Sequence, residues 1–471
     1  MASTFFGLTI AYSGLQAANT SLTITGHNVS NINTKGYTKQ QAGTQAADAL
    51  RTHTTYGAIG SGVVVTEISQ IRDSYYDVKY RNNMANYGQY SVKESYMGQI
   101  EDYLDEFTLN GYSQEYKNFF SAVNQLTITP GDTSAKNQLI NNAKSLADYF
   151  NTLTTNLRNV QADANNEIKD AVQQINSYAK NIAALNRQIN QIEANYGNAN
   201  DLRDKRNAMI DELSEIVNLE TSEEDMGNNV SNFSVRINGQ TLVSSYSYNT
   251  LETVARTDKK NYSDAEGLYD VQWNSGQKFD MYSTSLSGHL KGLIDIRDGN
   301  NGEHENIETD DDGNNVTDSD GNLVLTTAPA ADKTVSYKGV PYYQAQLNEF
   351  AKIFSDAVNK IMKSGYTSDG SSKGISLFVT QPNTTVMSAG NITVNPELLK
   401  NADLLAIKKE QNDGESDAKI MEELNKLQSE KIFAGGTGSY FLESIVSDVS
   451  IDSQKAVNLY KNYTDLKTSI H

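Results

Sequence analysis

Between Leu139 and Ile192 the chain carries sixteen apolar positions that step by four and three without a miss, running through Leu146, Phe150, Leu157, Ala164, Ile168, Ile175 and Ile182. Steps of four and three place every member on one stripe of an α-helix. The one irregularity, two successive fours around Ala164, has the form of a stutter in a heptad repeat. Unbroken helix over this stretch is roughly 80 Å long at the standard rise per residue. No compact domain accommodates that length. The spacing therefore predicts a long coiled-coil-like helix at about 135–196, ending at the turn-forming Asn195-Tyr196-Gly197, within a rod or long helical bundle. A shorter helix follows from Asp201 to about Val217.

A chain of 471 residues exceeds what one hydrophobic core supports, so two to four domains are expected. Hydrophobic residues make up 38% of it, below the globular norm, and polar uncharged residues fill the gap, which favours thin or elongated bodies. A net charge of −19 argues against nucleic acid and against anionic membrane as partners, because both are polyanions. The absence of cysteine removes disulfides, thiolate metal sites and cysteine nucleophiles. The opening MASTFFGLTIAYSGL lacks a basic segment and a cleavage site, and no apolar run is long enough to span a bilayer. These features fit a cytoplasmic protein, or one exported without a cleaved signal.

Elsewhere the pattern changes along the chain. Leu8, Leu15, Leu22 and Val29 repeat every seven residues, with Ala11 and Ala18 between them. This stripe reads either as the core face of an ordinary amphipathic helix or as a seam for another helix. The helix is expected to stop in the Asn-rich stretch before Gly36, which is available for a left-handed turn. Residues 37–70 look extended, and a Tyr-rich helix follows over 73–107. From 221 the period drops to two in Phe233–Ile237, and Asn238-Gly239 before Thr241-Leu-Val243 marks a hairpin. The expected organisation has four parts. They are an axial segment (1–72), a helical rod domain (73–220), an inserted β-rich outer domain (221–340) and return helices of the rod (341–471). The fold class is mainly α with an inserted β-rich domain, an elongated rod built from N- and C-terminal segments.

The search for chemistry is negative. Of the five histidines no two share metal-ligand spacing on a helix, and neither a nucleophile elbow nor a phosphate loop is present. His304 between two glutamates reads as a solvated acidic loop. The acidic tract at 308–313 resembles the start of a calcium loop, but Ser319 stands where the bidentate Glu belongs, so an acidic hairpin is the better account. Arg203-Asp-Lys-Arg206 reads as a solvated helix face. No catalytic residue, cofactor or metal site is expected.

One motif is recognisable. Ser13-Gly14-Leu15, with Gly26-His-Asn28-Val-Ser-Asn31-Ile-Asn33-Thr-Lys-Gly36-Tyr37, resembles the N-terminal signature of the flagellar rod, hook and hook-associated axial proteins. The continuation through Gly60-Ser-Gly62-Val-Val-Val65 and Ile71-Arg72-Asp73, together with Asn200–Arg206, is similar to the hook-associated members that join hook to filament. The resemblance covers most of 1–470 and is looser within 221–340. It implies a secreted, non-enzymatic subunit of the extracellular flagellum, exported unfolded through the type III apparatus with a chaperone at its C-terminal end. It also implies self-assembly into a helical ring or tube beside the hook protein and a second junction protein, with no nucleic acid and no membrane insertion. Family members continue past the equivalent of His471 through a helix that pairs with the N-terminal stripe. The resemblance thus implies that Leu8–Val29 lacks that partner here and that this chain alone does not polymerise into a junction. The competing readings are a hook or distal-rod protein, an adhesin or recognition role for 221–340, and a hydrolase hidden in that insertion.

Overall fold

The computed structural model describes residues 5–51, 57–109, 112–299, 306–307, 325–326, 337–382, 384–414, 416–433 and 436–470. The long stripe forms a single helix. This helix, α4 (Thr133–Glu193), is capped by Asp132, whose carboxylate accepts from the Ser134 N–H at 2.8 Å. At its other end the Gly197 N–H bonds back to the Ile192 carbonyl at 3.1 Å, and Tyr196 takes the left-handed conformation at φ 61°. Gly197 is needed for close approach instead, since a Cβ there would lie 2.8 Å from the Ile192 side chain.

Helices before and after α4 cover it. In chain order the others are α1 (Phe6–Ser30), α2 (Ser74–Leu109), α3 (Tyr112–Ile128), α5 (Asn200–Ile216), α6 (His289–Asp298), α7 (Val340–Ser364), α8 (Pro396–Lys400), α9 (Lys419–Lys426) and α10 (Gly438–Ile470). α10 runs antiparallel along α2, so segments far apart in the chain build one rod. Tyr87 meets Tyr460, Tyr90 stacks on Tyr463 at 5.5 Å between ring centroids, and the Asn83 amide donates to the Tyr463 carbonyl. Farther along the rod an aromatic cluster joins α3, α4, α7 and α10. Phe350 sits at its centre, 4.9 Å from Phe433, 5.3 Å from Phe150 and 5.6 Å from Phe354.

The inserted β-rich region packs on the far half of α4. Its main sheet is an antiparallel meander of Glu220–Asp225, Ser231–Ile237, Gln240–Ser244 and Ser247–Tyr248. The Asn238-Gly239 turn has positive φ at both residues, as a tight hairpin requires. A second hairpin pairs Leu251–Ala255 with Tyr269–Trp273. Short segments Asn306–Ile307 and Leu325–Thr326 also pair. The acidic tract at 308–313, His304 and most of 321–337 lie outside the described residues.

Asparagines fix this region to the helices. The Asn176 side chain donates to the Leu251 carbonyl and accepts from the Leu251 N–H, both at 2.8 Å. Asn190 does the same to Ser231, at 2.7 and 3.1 Å, and Asn359 of α7 to Phe378, at 2.8 and 3.0 Å. Each clamped residue is the first of its strand. A primary amide presents the donor–acceptor pair of a peptide group, so it completes the ladder where no neighbouring strand exists.

Three features depart from the sequence reading. Beyond Ile175 the buried line drifts from Tyr178, Leu185 and Ile192 to Ala179, Asn186 and Asn190, and Ile192 is left 40% exposed. A straight helix drifts by about 20° per heptad against a 3.5-residue repeat, and here the covering surface is a sheet rather than a second helix. Helix α6 lies inside the β-rich region and is buried on every side, wedged between α2 and α4. Finally, Arg203 and Arg206 do not form a solvated face. Arg203 makes a two-pronged pair with Glu193 at 2.7 and 2.8 Å, and the Arg206 guanidinium lies 3.8 Å over the Phe233 ring while bonding Asn186. Burial pushes Arg206 down to about 10.

A buried charge cluster closes the same interface. Asp298 accepts from Arg297 at 2.6 Å, from Arg256 at 2.9 Å and from the Tyr282 hydroxyl at 3.0 Å, while Arg297 reaches Asn165 of α4 at 2.9 Å. Burial alone would raise the Asp298 carboxyl, but the two guanidiniums outweigh it and hold the group well below the usual carboxylate range. Its stabilising contribution is therefore complete above the unfolded value of about 3.9 and is lost as pH falls below that toward the folded pKa. Urea denaturation between about pH 4 and 2 will show a steep loss of stability that is shallower in Asp298→Asn, which is itself destabilised at neutral pH by about 3–5 kcal/mol. Asn176→Ala, which strips both partners from Leu251, will cost about 1–3 kcal/mol in the same assay.

Candidate assembly surface

Helix α1 has two apolar faces, and only one is covered. Ala17 and Ile24 are its buried residues, on the face that rests against an antiparallel ribbon of Gln40–Ala46 and Val63–Gln70. Leu8, Leu15, Leu22 and Val29 lie on the other face, at 66%, 67%, 70% and 66% exposure, and Tyr12 and Ile32 are exposed beside them. From Phe6 to Ser30 the helix contains no Asp, Glu, Lys or Arg, in a chain where 21% of residues are charged. An exposed face normally carries charge for solubility. A helix that lacks it on all sides has the composition of one buried all round, and within this chain only half of that burial is met.

The signature residues hold α1 on the ribbon. The Asn28 amide clamps Gln40, the first residue of its strand, donating to the carbonyl and accepting from the N–H, both at 2.9 Å. The Tyr37 hydroxyl donates to the same Asn28 oxygen at 2.7 Å. That spends the only phenolic proton, so His27 Nδ1, 2.9 Å from the Tyr37 oxygen, carries a hydrogen and donates. Burial and the charges of Asp201 and Asp204 push the Tyr37 phenol up, which keeps it a donor. The Asn31 amide turns back to the His27 carbonyl at 3.0 Å and accepts from the Thr34 hydroxyl, closing the end of the helix. Ser13 accepts from the Val63 N–H at 3.2 Å, and a Cβ on Gly62 would lie 2.2 Å from the Ser13 hydroxyl oxygen. Gly14 faces open space.

The second matched stretch, Asn200–Arg206, meets the first in space. Asp204 accepts from the Thr38 N–H at 3.0 Å, Asp201 accepts from the Gln40 amide at 3.2 Å, and Asn200 donates to the Ile68 carbonyl at 2.8 Å. Gly36, at φ +81°, brings the chain against α5, where a Cβ would sit 3.0 Å from that of Ala208. Lys35 pairs with Glu212 at 3.1 Å, and Arg72 and Arg81 both reach Asp211. Nearly all of this attachment is polar, and no described residue before Val92 joins the continuous hydrophobic core. The axial segment is thus latched to the rod rather than fused with it. The sequence match included Asp201 and Asp204 within Asn200–Arg206 without giving them a role, and it missed Asp211; the spacing of the three along one face of α5 was the available signal. Among the described residues no cluster could hold a metal ion, and no helix is long and apolar enough to cross a membrane.

Removing the latch will loosen the axial segment alone. Asn28→Ala will raise amide hydrogen exchange at Gln40 and along α1 by about tenfold or more, for loss of about 1–3 kcal/mol, with α4 unchanged. Gly36→Ala, strained by its positive φ, will act the same way at a cost of about 1–2 kcal/mol.

Comparison with known proteins places this arrangement. Residues 97–378 match the family described as the flagellar hook-associated protein FlgK helical domain. The flagellar hook-associated protein 1 of Bacillus subtilis strain 168 is 27% identical over 390 residues, which cover 79% of this chain and 70% of that protein. The protein of the same name from Salmonella typhimurium is 33% identical over 219 residues, 46% of this chain and 39% of that protein. The aligned stretch therefore spans well under half of the Salmonella relative. The structure of the flagellar hook junction protein FlgK from Burkholderia pseudomallei superposes with a TM-score of 0.64 at 15% identity, over 83% of this chain and 98% of that one, which establishes a shared fold. The matched residues extend over more than half of the sequence, and the chain belongs to the flagellar hook-associated protein FlgK helical-domain family.

Proposed function

We propose that this protein is a structural, non-catalytic subunit of the extracellular bacterial flagellum and forms the junction between hook and filament. The carrying observation is the uncharged outer face of α1, with four apolar residues at heptad spacing left in water on a helix whose opposite face is firmly clamped. Each such side chain gains about 1.5–3 kcal/mol on full burial, so the stripe is a standing driving force for association. The hook-associated and junction names of its relatives support the same reading.

Under this reading copies assemble helically at the hook tip, with hook protein on one side and a second junction protein on the other. Residues 1–72 form the inner axial layer, 73–220 and 341–471 the rod layer, and 221–340 the outward part. The subunit leaves the cell unfolded, with a chaperone engaging its C-terminal end. Lack of cysteine and low hydrophobicity suit that route.

Leu15→Lys combined with Leu22→Lys tests this directly. Both side chains are two-thirds exposed, so the folded chain will keep its stability within about 0.5 kcal/mol by thermal denaturation. Introduced into the native gene, the two changes will leave hooks without filaments under the electron microscope, where the unaltered gene gives filaments. Filaments in wild-type number would overturn the role given to this face.

A further inference from the structure

The charged residues of the central part of α4 are sorted by side. At about 100° per residue, Asp163, Glu167 and Asp170 fall within about 60° of one another on the helix circumference. Lys169, Lys180 and Arg187 fall within about 20° of one another, roughly opposite Glu167. All six are exposed. Neither Lys169, Lys180 nor Arg187 forms an ion pair among the described residues; Lys169 and Arg187 only lie 5.9 Å from the Tyr269 and Tyr246 rings.

Neighbouring elements extend both flanks. On the acidic side α5 adds Glu212 and Glu215, and with Glu167, Asp170 and His289 they line a cleft of about 460 Å³. Its contents are already partly engaged: Glu167 accepts from Tyr96 at 2.9 Å, and Glu212 pairs with Lys35 at its rim. Asp170 and Glu215 have no cationic partner among the described residues. On the basic side the hairpin held by Asn165 and Asn176 adds a cleft of about 710 Å³, lined by Arg256, Lys259, Lys260 and Lys278 against three carboxylates. In a chain of net charge −19 this flank is the local exception. The acidic cleft and the hairpin sit at the same height, on opposite sides of one helix.

We infer that copies of this chain meet side by side through these flanks, the Lys169–Lys180–Arg187 side of one against the Glu167–Asp170–Glu212–Glu215 cleft of the next. The inference rests on the assembly reading above and names a contact distinct from the α1 stripe. A contact between two different patches is head-to-tail, the type that generates rings and helices instead of closed dimers. Charge pairing at its rim would fix register and exclude wrong neighbours more than it adds affinity.

Because the chain has no cysteine, crosslinking reports the contact cleanly. Asp170→Cys with Lys180→Cys in one chain cannot close within a copy, since the two are separated by about 15 Å along α4, beyond the reach of a disulfide. In flagella isolated from cells whose native gene carries both changes, oxidation will give a ladder of disulfide-linked multimers of this protein. In parallel, Lys169→Glu/Lys180→Glu/Arg187→Glu will lower the number of filament-bearing hooks at least about tenfold. Asp170→Lys/Glu215→Lys in the same chain will restore most of it. Absence of the ladder, linkage to a different protein, or reversals that are silent or not rescued would overturn the lateral contact. Deletion of the native gene keeps the two ideas apart. If the deletion leaves filaments on the hooks, the junction reading fails; if it removes them and the ladder is missing, only this contact fails.

Discussion

The rest of the fold depends on asparagine side chains that stand in for missing β-strands. Asn28, Asn176, Asn190 and Asn359 each belong to a helix, and each bonds both the N–H and the carbonyl of the first residue of a strand. The sheets here are small, mostly two strands wide, so most of their edges are open. An open edge invites pairing with any passing chain, which is dangerous in a protein held at high local concentration in an assembly. An amide from a helix satisfies the edge where the strand begins and fixes its register at that point. It also joins sheet to helix without requiring a wide apolar interface, which a chain with 38% hydrophobic residues can furnish only along α4 and the aromatic cluster.

This device explains what was legible in the sequence. The stripe of α4 was plain because helix period and burial agree over most of its length, from Leu139 to Ile175. It blurred where Asn186 and Asn190 take over the buried face, since a polar residue at a core position breaks a pattern defined by apolarity. Helix α6 was invisible for a related reason. Leu290 through Asp298 are all buried, so no periodicity marks a face, and Lys291, Asp295, Arg297 and Asp298 look like surface residues until Lys93 and Arg256 are brought from elsewhere in the chain to Asp295 and Asp298. Arg206 misled in the same way, because its Phe233 platform lies in another element. Local patterns reveal which face of an element is apolar. They do not reveal charges that are neutralised by distant chain.

The signature of the axial segment was legible as a motif but not as a mechanism. Its residues fall into two groups with different duties. Asn28, Asn31, Gly36, Tyr37 and Ser13 are spent on attaching α1 to the ribbon and the ribbon to α5, by hydrogen bonds and one left-handed turn. Leu8, Leu15, Leu22 and Val29 take no part in that attachment. The heptad spacing could not decide between an inner and an outer face, because α1 is apolar on both. Only the geometry of the clamps determines which stripe is turned outwards.

A polar latch under an apolar stripe has a physical consequence for assembly. Hydrophobic contact is strong but indifferent to register, whereas hydrogen bonds and ion pairs are weak in water and strict about geometry. If the axial segment were fused to the rod through a large core, its stripe would be held at one fixed angle, and small errors in packing against neighbours would strain the whole subunit. Held instead by Asp201, Asp204 and Asp211 through individual hydrogen bonds and the Arg72 ion pair, it can adjust by small amounts while the rod keeps its shape. A joint between two helical structures of different subunit shape needs that tolerance at its inner layer and rigidity in the layer around it. The division of labour between the latched α1 segment and the clamped α4 rod supplies both.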